Sequence, residues 1–244
     1  MMEVKASTAP ECVQDVLRSL GQDVKMDPET AARLLRRMSI DTNELEPWVD
    51  VDHPAEDSYG RKLIARGPNF ELMLMSWAPG DYSAIHDHGV AEWGAVRYFG
   101  AADHVIFDVD GGVLSMQDRM TTSDGLVYPV DHNLIHLMGN ATSQPMLSLH
   151  LYGRDEAAES ITGNARVFDL CENKIQRTDG GVFYCLPESE VHRREGCPVA
   201  DRETELLHHR LMLSRIERIS ERNAELEQRA CELEEKIGAV RLAA

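Results

Sequence analysis

The chain has 244 residues, long enough for one large domain or two small ones with a sizeable buried core. It carries 25 Lys and Arg against 42 Asp and Glu, a net charge of −17, which repels nucleic-acid phosphates and anionic lipid. No apolar run is long enough to span a membrane, so we expect neither a nucleic-acid partner nor a membrane partner. The first residues show no apolar signal core and the five cysteines form no CxxC pair, so we expect a cytoplasmic protein with reduced thiols.

Residues 1–50 carry the spacing of amphipathic helices. Apolar residues recur at three- and four-residue intervals from Cys12 to Leu20. Asp27 and Pro28 then supply a cap and a first-turn proline before a second stretch of the same kind. This part of the chain predicts a small N-terminal helical layer.

Residues 51–200 have a different character. Short runs rich in Val, Ile, Tyr, Phe, Leu and Met alternate with turn signals at Pro79-Gly80, Asp110-Gly111-Gly112 and Asp124-Gly125. Short strands at regular spacing are typical of an antiparallel sandwich or barrel. We predict a mainly β domain with little helix.

Residues 201–244 combine many charges with an apolar heptad seam. The seam consists of Met212, Ile216, Ile219, Asn223, Leu226, Ala230, Leu233, Ile237 and Val240. Asn at one a position with Leu at d favours a two-stranded parallel coiled coil, and hence a homodimer through residues 209–240. The alternative is a single amphipathic helix lying back on the β domain. We expect His208 and His209 on the helix surface, and we expect catalysis to survive deletion of residues 205–244.

The strongest local signal for chemistry is Ile85-His86-Asp87-His88. The segment is expected on a strand, where His86 and His88 share one face and Asp87 points away. Two imidazoles on one face are ready ligands for iron, manganese, nickel, copper or zinc. Two histidines on a solvated strand need no metal, so the pair alone leaves both interpretations open.

A second strand alternates strictly. Its apolar face carries Leu147, Leu149 and Leu151, and its other face carries Ser148, His150 and Tyr152. On an edge strand the polar face would simply meet water. If that face looks into a barrel, a chain of hydrogen bonds through the three groups orients the phenol of Tyr152 and tunes its proton.

Two spacings resemble the signatures of the cupin superfamily, Gly80-x5-His86-x-His88-x3-Glu92 and Gly125-x3-Pro129-x6-His136-x3-Asn140. Three segments are similar to the thiol dioxygenases among the cupins, and in detail to the type I cysteine dioxygenases: Tyr59-Gly60-Arg61, NFELMLMSWAPGDYSAIHDHG, and SLHLYG at 148–153. The resemblance spans roughly residues 55–155 and leaves the tail outside. It implies a small β-barrel or jelly roll at residues 51–200, with an N-terminal helical layer and a C-terminal coiled-coil-like helix.

The resemblance also implies the site residues, which fall into three groups. The ligands of a ferrous iron, Fe2+, are His86, His88 and His136, with His132 as the competing candidate. The catalytic relay is Ser148, His150 and Tyr152. The substrate carboxylate is bound by Arg61 and Tyr59.

The implied reaction adds both atoms of O2 to the sulfur of L-cysteine and gives cysteine sulfinate. Arg61 after Tyr59 favours cysteine, because related mercaptopropionate dioxygenases take the carboxylate-binding arginine from another segment. Three alternatives stay open. They are another small thiol (3-mercaptopropionate, cysteamine or a pathway-specific thiol), a metal cupin of different activity, and a non-catalytic sensor.

Two features depart from the family pattern. The chain has no cysteine between Cys12 and Cys171, so the cysteine–tyrosine cross-link of mammalian members cannot form with Tyr152 from its usual partner. Gly94 in that region resembles bacterial members. Glu92 stands where ordinary cupins carry a carboxylate ligand, and if it reached the metal the centre would hold three histidines and one glutamate, with different chemistry.

Overall fold

The computed structural model describes residues 11–20, 25–54, 56–219 and 221–242. At the N-terminal end, α1 (Glu11–Leu20) and α2 (Pro28–Arg37) are followed by a 3-10 helix (Thr42–Trp48). The strands are β1 (Gly60–Arg66), β2 (Phe70–Trp77), β3 (Trp93–Phe99), β4 (Asp103–Asp110), β5 (Val113–Thr121), β6 (Val127–Asp131), β7 (Ile135–Gly139), β8 (Met146–Gly153), β9 (Ala165–Asp169), β10 (Lys174–Thr178), β11 (Arg193–Gly196) and β12 (Val199–Ala200). Two further helices follow, α3 (Arg202–Arg218) and α4 (Ala224–Leu242). The predicted N-terminal helices and mainly β middle are present.

The strands form two sheets around a common core. The first sheet is antiparallel, with strand order β1-β2-β8-β3-β6. The second consists of β12-β5-β4-β7 and β11-β10-β9, which residues 82–86 join through bridges to β7 and β9. Side chains from both sheets meet in one hydrophobic cluster that includes Met73, Val96, Met138 and Val167.

Helices cover the outer face of each sheet. Leu149 and Leu151 of β8 pack with Val16 of α1 and Leu35 of α2. On the second sheet, outward-facing residues of β4 and β7 pack with partly buried leucines of α3. Because β2 is covered on both faces, all eight of its residues are buried, which explains its nearly continuous apolar sequence.

The C-terminal segment is a helical hairpin and not one continuous helix. The break between α3 and α4 falls at residues 219–223, within the predicted heptad seam. Most of the seam is buried inside the same chain, at Met212, Ile216, Ile219, Ala230, Leu233 and Ile237. A homodimer that used this seam would have to open the hairpin.

The prediction that His208 and His209 lie on the surface is wrong. Both side chains are completely buried, because they belong to the side of α3 that packs on the second sheet. Arg215 of the same helix is also buried and donates to Asp81 Oδ1 at 3.1 Å. The hairpin is thus part of the folded body, which conflicts with the expectation that residues 205–244 can be deleted without loss of catalysis.

No described helix is long and apolar enough to cross a bilayer. The four cysteines whose side chains are described are free thiols: Cys171, Cys185, Cys197 and Cys231.

Candidate active site

The segment that carries His86 and His88, residues 81–89, lies between two strands of the second sheet. Residue 86 pairs with residue 136 through two backbone hydrogen bonds, each 2.9 Å long, and also bridges to Val167 of β9. Gly89 ends the segment with φ of +57°, and a Cβ there would lie 2.0 Å from the carbonyl oxygen of Gly163. Glycine is therefore required directly after His88.

The neighbouring Asp87 points away from the two histidines, as the strand periodicity predicts. Its carboxylate accepts from Arg166 Nε at 2.5 Å and from the backbone nitrogen of the same residue at 2.8 Å. This ion pair belongs to the framework around the histidines.

The predicted ligands His86, His88 and His136 lie together. One ring nitrogen from each falls within 4.8 Å of the others, and the Nε2 atoms of His88 and His136 are 3.1 Å apart. Two imidazole nitrogens about 2.1 Å from one ion and at right angles to each other are about 3 Å apart. The spacing of these nitrogens therefore fits a shared metal ion.

The protonation state of the three histidines also fits a metal site. Burial lowers the pKa of His86 to about 4, and burial also holds the pKa values of His88 and His136 well below their usual range. All three rings are neutral at pH 7 and offer lone pairs. His88 Nδ1 is buried without a hydrogen-bond partner among the described residues, and His86 Nδ1 is bonded to the Ala84 carbonyl at 2.9 Å, which leaves its Nε2 free.

His104 on β4 is part of the site, although no partner for it is visible in the sequence. Its Nε2 lies 2.8 Å from His136 Nδ1, and the ring is buried. A hydrogen bond on Nδ1 fixes the orientation of a ligating histidine and directs Nε2 to the metal. The contact depends on the pairing of β4 with β7, which the linear sequence does not specify.

The two competing candidates lie outside the cluster. His132 is exposed, with Nδ1 at 3.0 Å from the Ala91 carbonyl. Glu92 is also exposed, and its carboxylate accepts from the backbone nitrogen of Asp155 at 2.7 Å and pairs with Arg154 at 3.7 Å. The arrangement is a three-histidine cluster without a carboxylate from Glu92.

The alternating polar face of β8 looks into the space between the sheets. β8 is a central strand between β2 and β3, so the edge-strand alternative is excluded. Ser148, His150 and Tyr152 are all buried and form a chain, with Ser148 Oγ 2.7 Å from His150 Nε2 and His150 Nδ1 2.9 Å from the Tyr152 hydroxyl. The predicted relay is therefore connected.

Trp77 sets the direction of this chain. Its indole Nε1 donates to Ser148 Oγ at 2.8 Å, so the serine proton is left for His150 Nε2. Burial lowers the pKa of His150 to about 3, so the ring is neutral and carries its proton on Nδ1. That proton goes to the Tyr152 oxygen, and the hydroxyl proton of Tyr152 is free to donate into the cavity.

Tyr152 lies beside the metal-binding cluster in its protonated form. Its ring centroid is 5.0 Å from that of His88, and burial raises the pKa of the phenol well above its usual range. On β3, a Cβ at Gly94 would lie 2.6 Å from Tyr152 Cδ1. The ring of Tyr152 thus occupies the space that any larger residue at 94 would need.

Arg61 and Tyr59 reach the same cavity from β1 and the residue before it. The cavity is lined by Tyr59, Arg61, Met73, Met75, His86, Asp87, His88, Tyr152, Thr162, Ala165, Gly180 and Val182. The Tyr59 ring stacks on Trp77 at 4.4 Å between centroids, and its hydroxyl accepts from the Val182 backbone nitrogen at 3.2 Å. Arg61 Nη2 donates to Thr162 Oγ1 at 3.1 Å. One cavity therefore brings together imidazole, phenol and guanidinium groups.

The family model described as "Cysteine dioxygenase type I" matches residues 1–155 of the chain. Cysteine dioxygenase type 1 of Danio rerio is 24% identical over 158 residues, 62% of this chain and 79% of the relative. The protein of the same name from Homo sapiens is 24% identical over 183 residues, 72% of this chain and 86% of the relative. A Cupin 2 conserved barrel domain protein from Salinispora arenicola is 15% identical with a TM-score of 0.32, over 43% of this chain and 85% of that one. The family match and the two-sheet architecture confirm the predicted cupin fold, mainly β with helices at both ends.

Proposed function

Since the chain belongs to the cysteine dioxygenase type I family, we propose that it is an iron-dependent dioxygenase that converts L-cysteine to cysteine sulfinate. The observation that carries the proposal is the cavity itself. His86, His88, Tyr152 and Arg61 all line it, so a small amino-acid thiol bound there would lie among these four side chains.

Ferrous iron is the proposed cofactor, held by His86, His88 and His136. Three neutral ligands leave the ion its full double charge, and iron bound there would attract the substrate thiolate and bring it together with O2. The reaction is balanced without an external reductant, because the sulfur supplies the four electrons that O2 takes up and both oxygen atoms stay in the sulfinate.

The chain's own residues would bind and orient the substrate. Arg61 offers forked guanidinium donors to the substrate carboxylate, and Tyr59 packs beside it. The Tyr152 hydroxyl donates a hydrogen bond to oxygen as it is transferred to sulfur. Its acceptor side is occupied by His150 Nδ1–H, so the phenol proton has one available direction, into the cavity.

The decisive experiment measures oxygen uptake and sulfinate formation by the iron-loaded protein with L-cysteine. 3-Mercaptopropionate and cysteamine in the same assay separate the cysteine assignment from a dioxygenase for another small thiol. Oxygen uptake with either of these and not with L-cysteine would replace the proposed substrate. Metal binding without turnover of any thiol would favour a sensor.

Tyr152→Phe tests the proton donor. We expect kcat to fall roughly 100-fold with unchanged iron content, within the range for loss of a positioned proton donor. Tyr184→Phe is the matched control, since that buried hydroxyl has no hydrogen-bond partner among the described residues and lies outside the cavity lining. Wild-type kcat in Tyr152→Phe would exclude the role given to the phenol.

A further inference from the structure

The side chain that holds Arg61 in the cavity is Thr162, in the loop between β8 and β9. Arg61 Nη2 donates to Thr162 Oγ1 at 3.1 Å, and Thr162 Oγ1 in turn donates to Glu71 Oε2 at 3.1 Å. A hydroxyl can do both at once, since its oxygen accepts from Arg61 while its proton is donated to Glu71. The three groups form a chain directed from the guanidinium to the carboxylate.

Glu71 is placed to anchor this chain. It lies on β2 directly opposite Tyr152 of β8, and its side chain is 3% exposed. Its other oxygen, Oε1, accepts from Arg66 Nε at 2.9 Å, and the Arg66 side chain is about half exposed. The charge of Glu71 is therefore balanced by Arg66, at the outer end of the chain.

This arrangement has a consequence for the charge of Arg61. A carboxylate in direct contact with Arg61 would neutralise it and compete with any anionic substrate. Among the described residues no carboxylate lies within 4.0 Å of the Arg61 guanidinium, and Thr162 is the neutral group placed between it and Glu71. Arg61 is thus oriented by the protein while its positive charge and its remaining N–H donors stay available.

We propose that Thr162, anchored by Glu71, is the positioning residue that presents Arg61 to the substrate carboxylate, and that it makes the enzyme select thiols bearing a carboxylate over amino thiols without one. The assignment rests on the proposed function. It assigns no contact between Thr162 and the reacting sulfur.

The test compares Thr162→Val, which keeps the shape and removes the hydroxyl, with Thr162→Ser, which keeps the hydroxyl. With the iron-loaded full chain, we expect Thr162→Val to raise KM for L-cysteine roughly tenfold, as for loss of one hydrogen bond to a charged group. We expect kcat at saturation to change less than about twofold and kcat/KM for cysteamine to stay at its wild-type value. Thr162→Ser should retain the wild-type KM for L-cysteine.

A purely structural role for Thr162 would not change the ratio of kcat/KM for L-cysteine to kcat/KM for cysteamine. Loss of folded protein lowers the rates with both substrates equally, and Thr204→Val serves as the control because that buried hydroxyl accepts from Met116 N away from the cavity. Anaerobic equilibrium titration with L-cysteine and with cysteamine gives a second readout independent of turnover, with the same ratio expected.

The outcomes separate the two proposals. Equal KM values for L-cysteine in Thr162→Val and Thr162→Ser would overturn the role of Thr162 and leave the dioxygenase assignment standing. A wild-type protein that oxidises both thiols but prefers cysteamine would also overturn the role of Thr162, whereas one that oxidises cysteamine and not L-cysteine would replace the proposed substrate as well. A wild-type protein that oxidises no thiol would overturn the proposed function and this assignment with it.

Discussion

Replacing His208 with Gln should make the free energy of unfolding fall less steeply as the pH drops below 6.5. The ring of His208 is completely buried beneath the helical hairpin, and Nε2 accepts from the Leu170 backbone nitrogen at 3.4 Å. Burial, reinforced by the charge of His209, lowers the pKa of His208 to about 3. The folded chain therefore keeps this ring neutral at pH values where an exposed histidine is protonated.

The size of the effect follows from proton linkage. Below pH 6.5 the unfolded chain binds a proton at His208 that the folded chain does not bind, so acid favours unfolding until the folded pKa near 3 is reached. One such group costs about 1.4 kcal/mol of unfolding free energy for each pH unit. Between pH 6.5 and 5.0 the loss from His208 is about 2 kcal/mol.

Urea unfolding at pH 7.5, 6.5 and 5.0, with chelator present throughout, measures this slope. The remaining buried histidines contribute equally to both proteins, so the difference between wild type and His208→Gln isolates the one ring. His192→Gln is the matched control, because its side chain is about half exposed. If His208→Gln loses stability with acid as steeply as wild type, the buried neutral ring is not the cause.

Other predictions concern the metal centre and the hairpin. His104→Phe removes the partner of His136 Nδ1, and we expect metal affinity to fall about 10- to 100-fold in a chelator competition, with His132→Phe unchanged. Leu233→Ala leaves a cavity at a fully buried position in the hairpin and should lower the free energy of unfolding, measured with urea, by about 2–5 kcal/mol. The homodimer through residues 209–240 stays a prediction, and light scattering measures it against the 27.4 kDa of one chain.

Strand periodicity grouped side chains of the site correctly because it acts at short range, whereas His136, Arg61 and Tyr59 came from the resemblance to the family. Alternation placed Ser148, His150 and Tyr152 on one face, and the same rule separated Asp87 from its neighbouring histidines. It could not say how deeply a strand is buried. The position of β8 in the middle of its sheet decides that the polar face meets the cavity, and this depends on pairing partners distant in sequence.

The surface position predicted for His208 and His209 was wrong for a different reason. A heptad seam shows that a helix buries one side and does not show what covers it. Asn223, interpreted as a polar a position, is the N-cap of α4, since its Oδ1 accepts from Leu226 N at 2.9 Å. Asparagine occurs both at a positions of coiled coils and at helix N-caps, and only the break after α3 shows which of the two Asn223 is.

The segment that carries His86 and His88, residues 81–89, is held by arginines from beyond the family match. Arg166 pairs with Asp87, and Arg215 pairs with Asp81, which is fully buried. Removing one partner of a buried ion pair costs about 3–5 kcal/mol, far more than an exposed pair contributes. Residues 1–155 thus supply the histidine ligands, while the arginines that hold their segment in place come from β9 and from the hairpin. Truncation at the end of the family match would remove Arg166 from Asp87 and the hairpin arginines from Asp81, which would keep His53 as its remaining ion-pair partner at 2.9 Å. We therefore expect the truncated chain to hold its histidine cluster less firmly than the full chain.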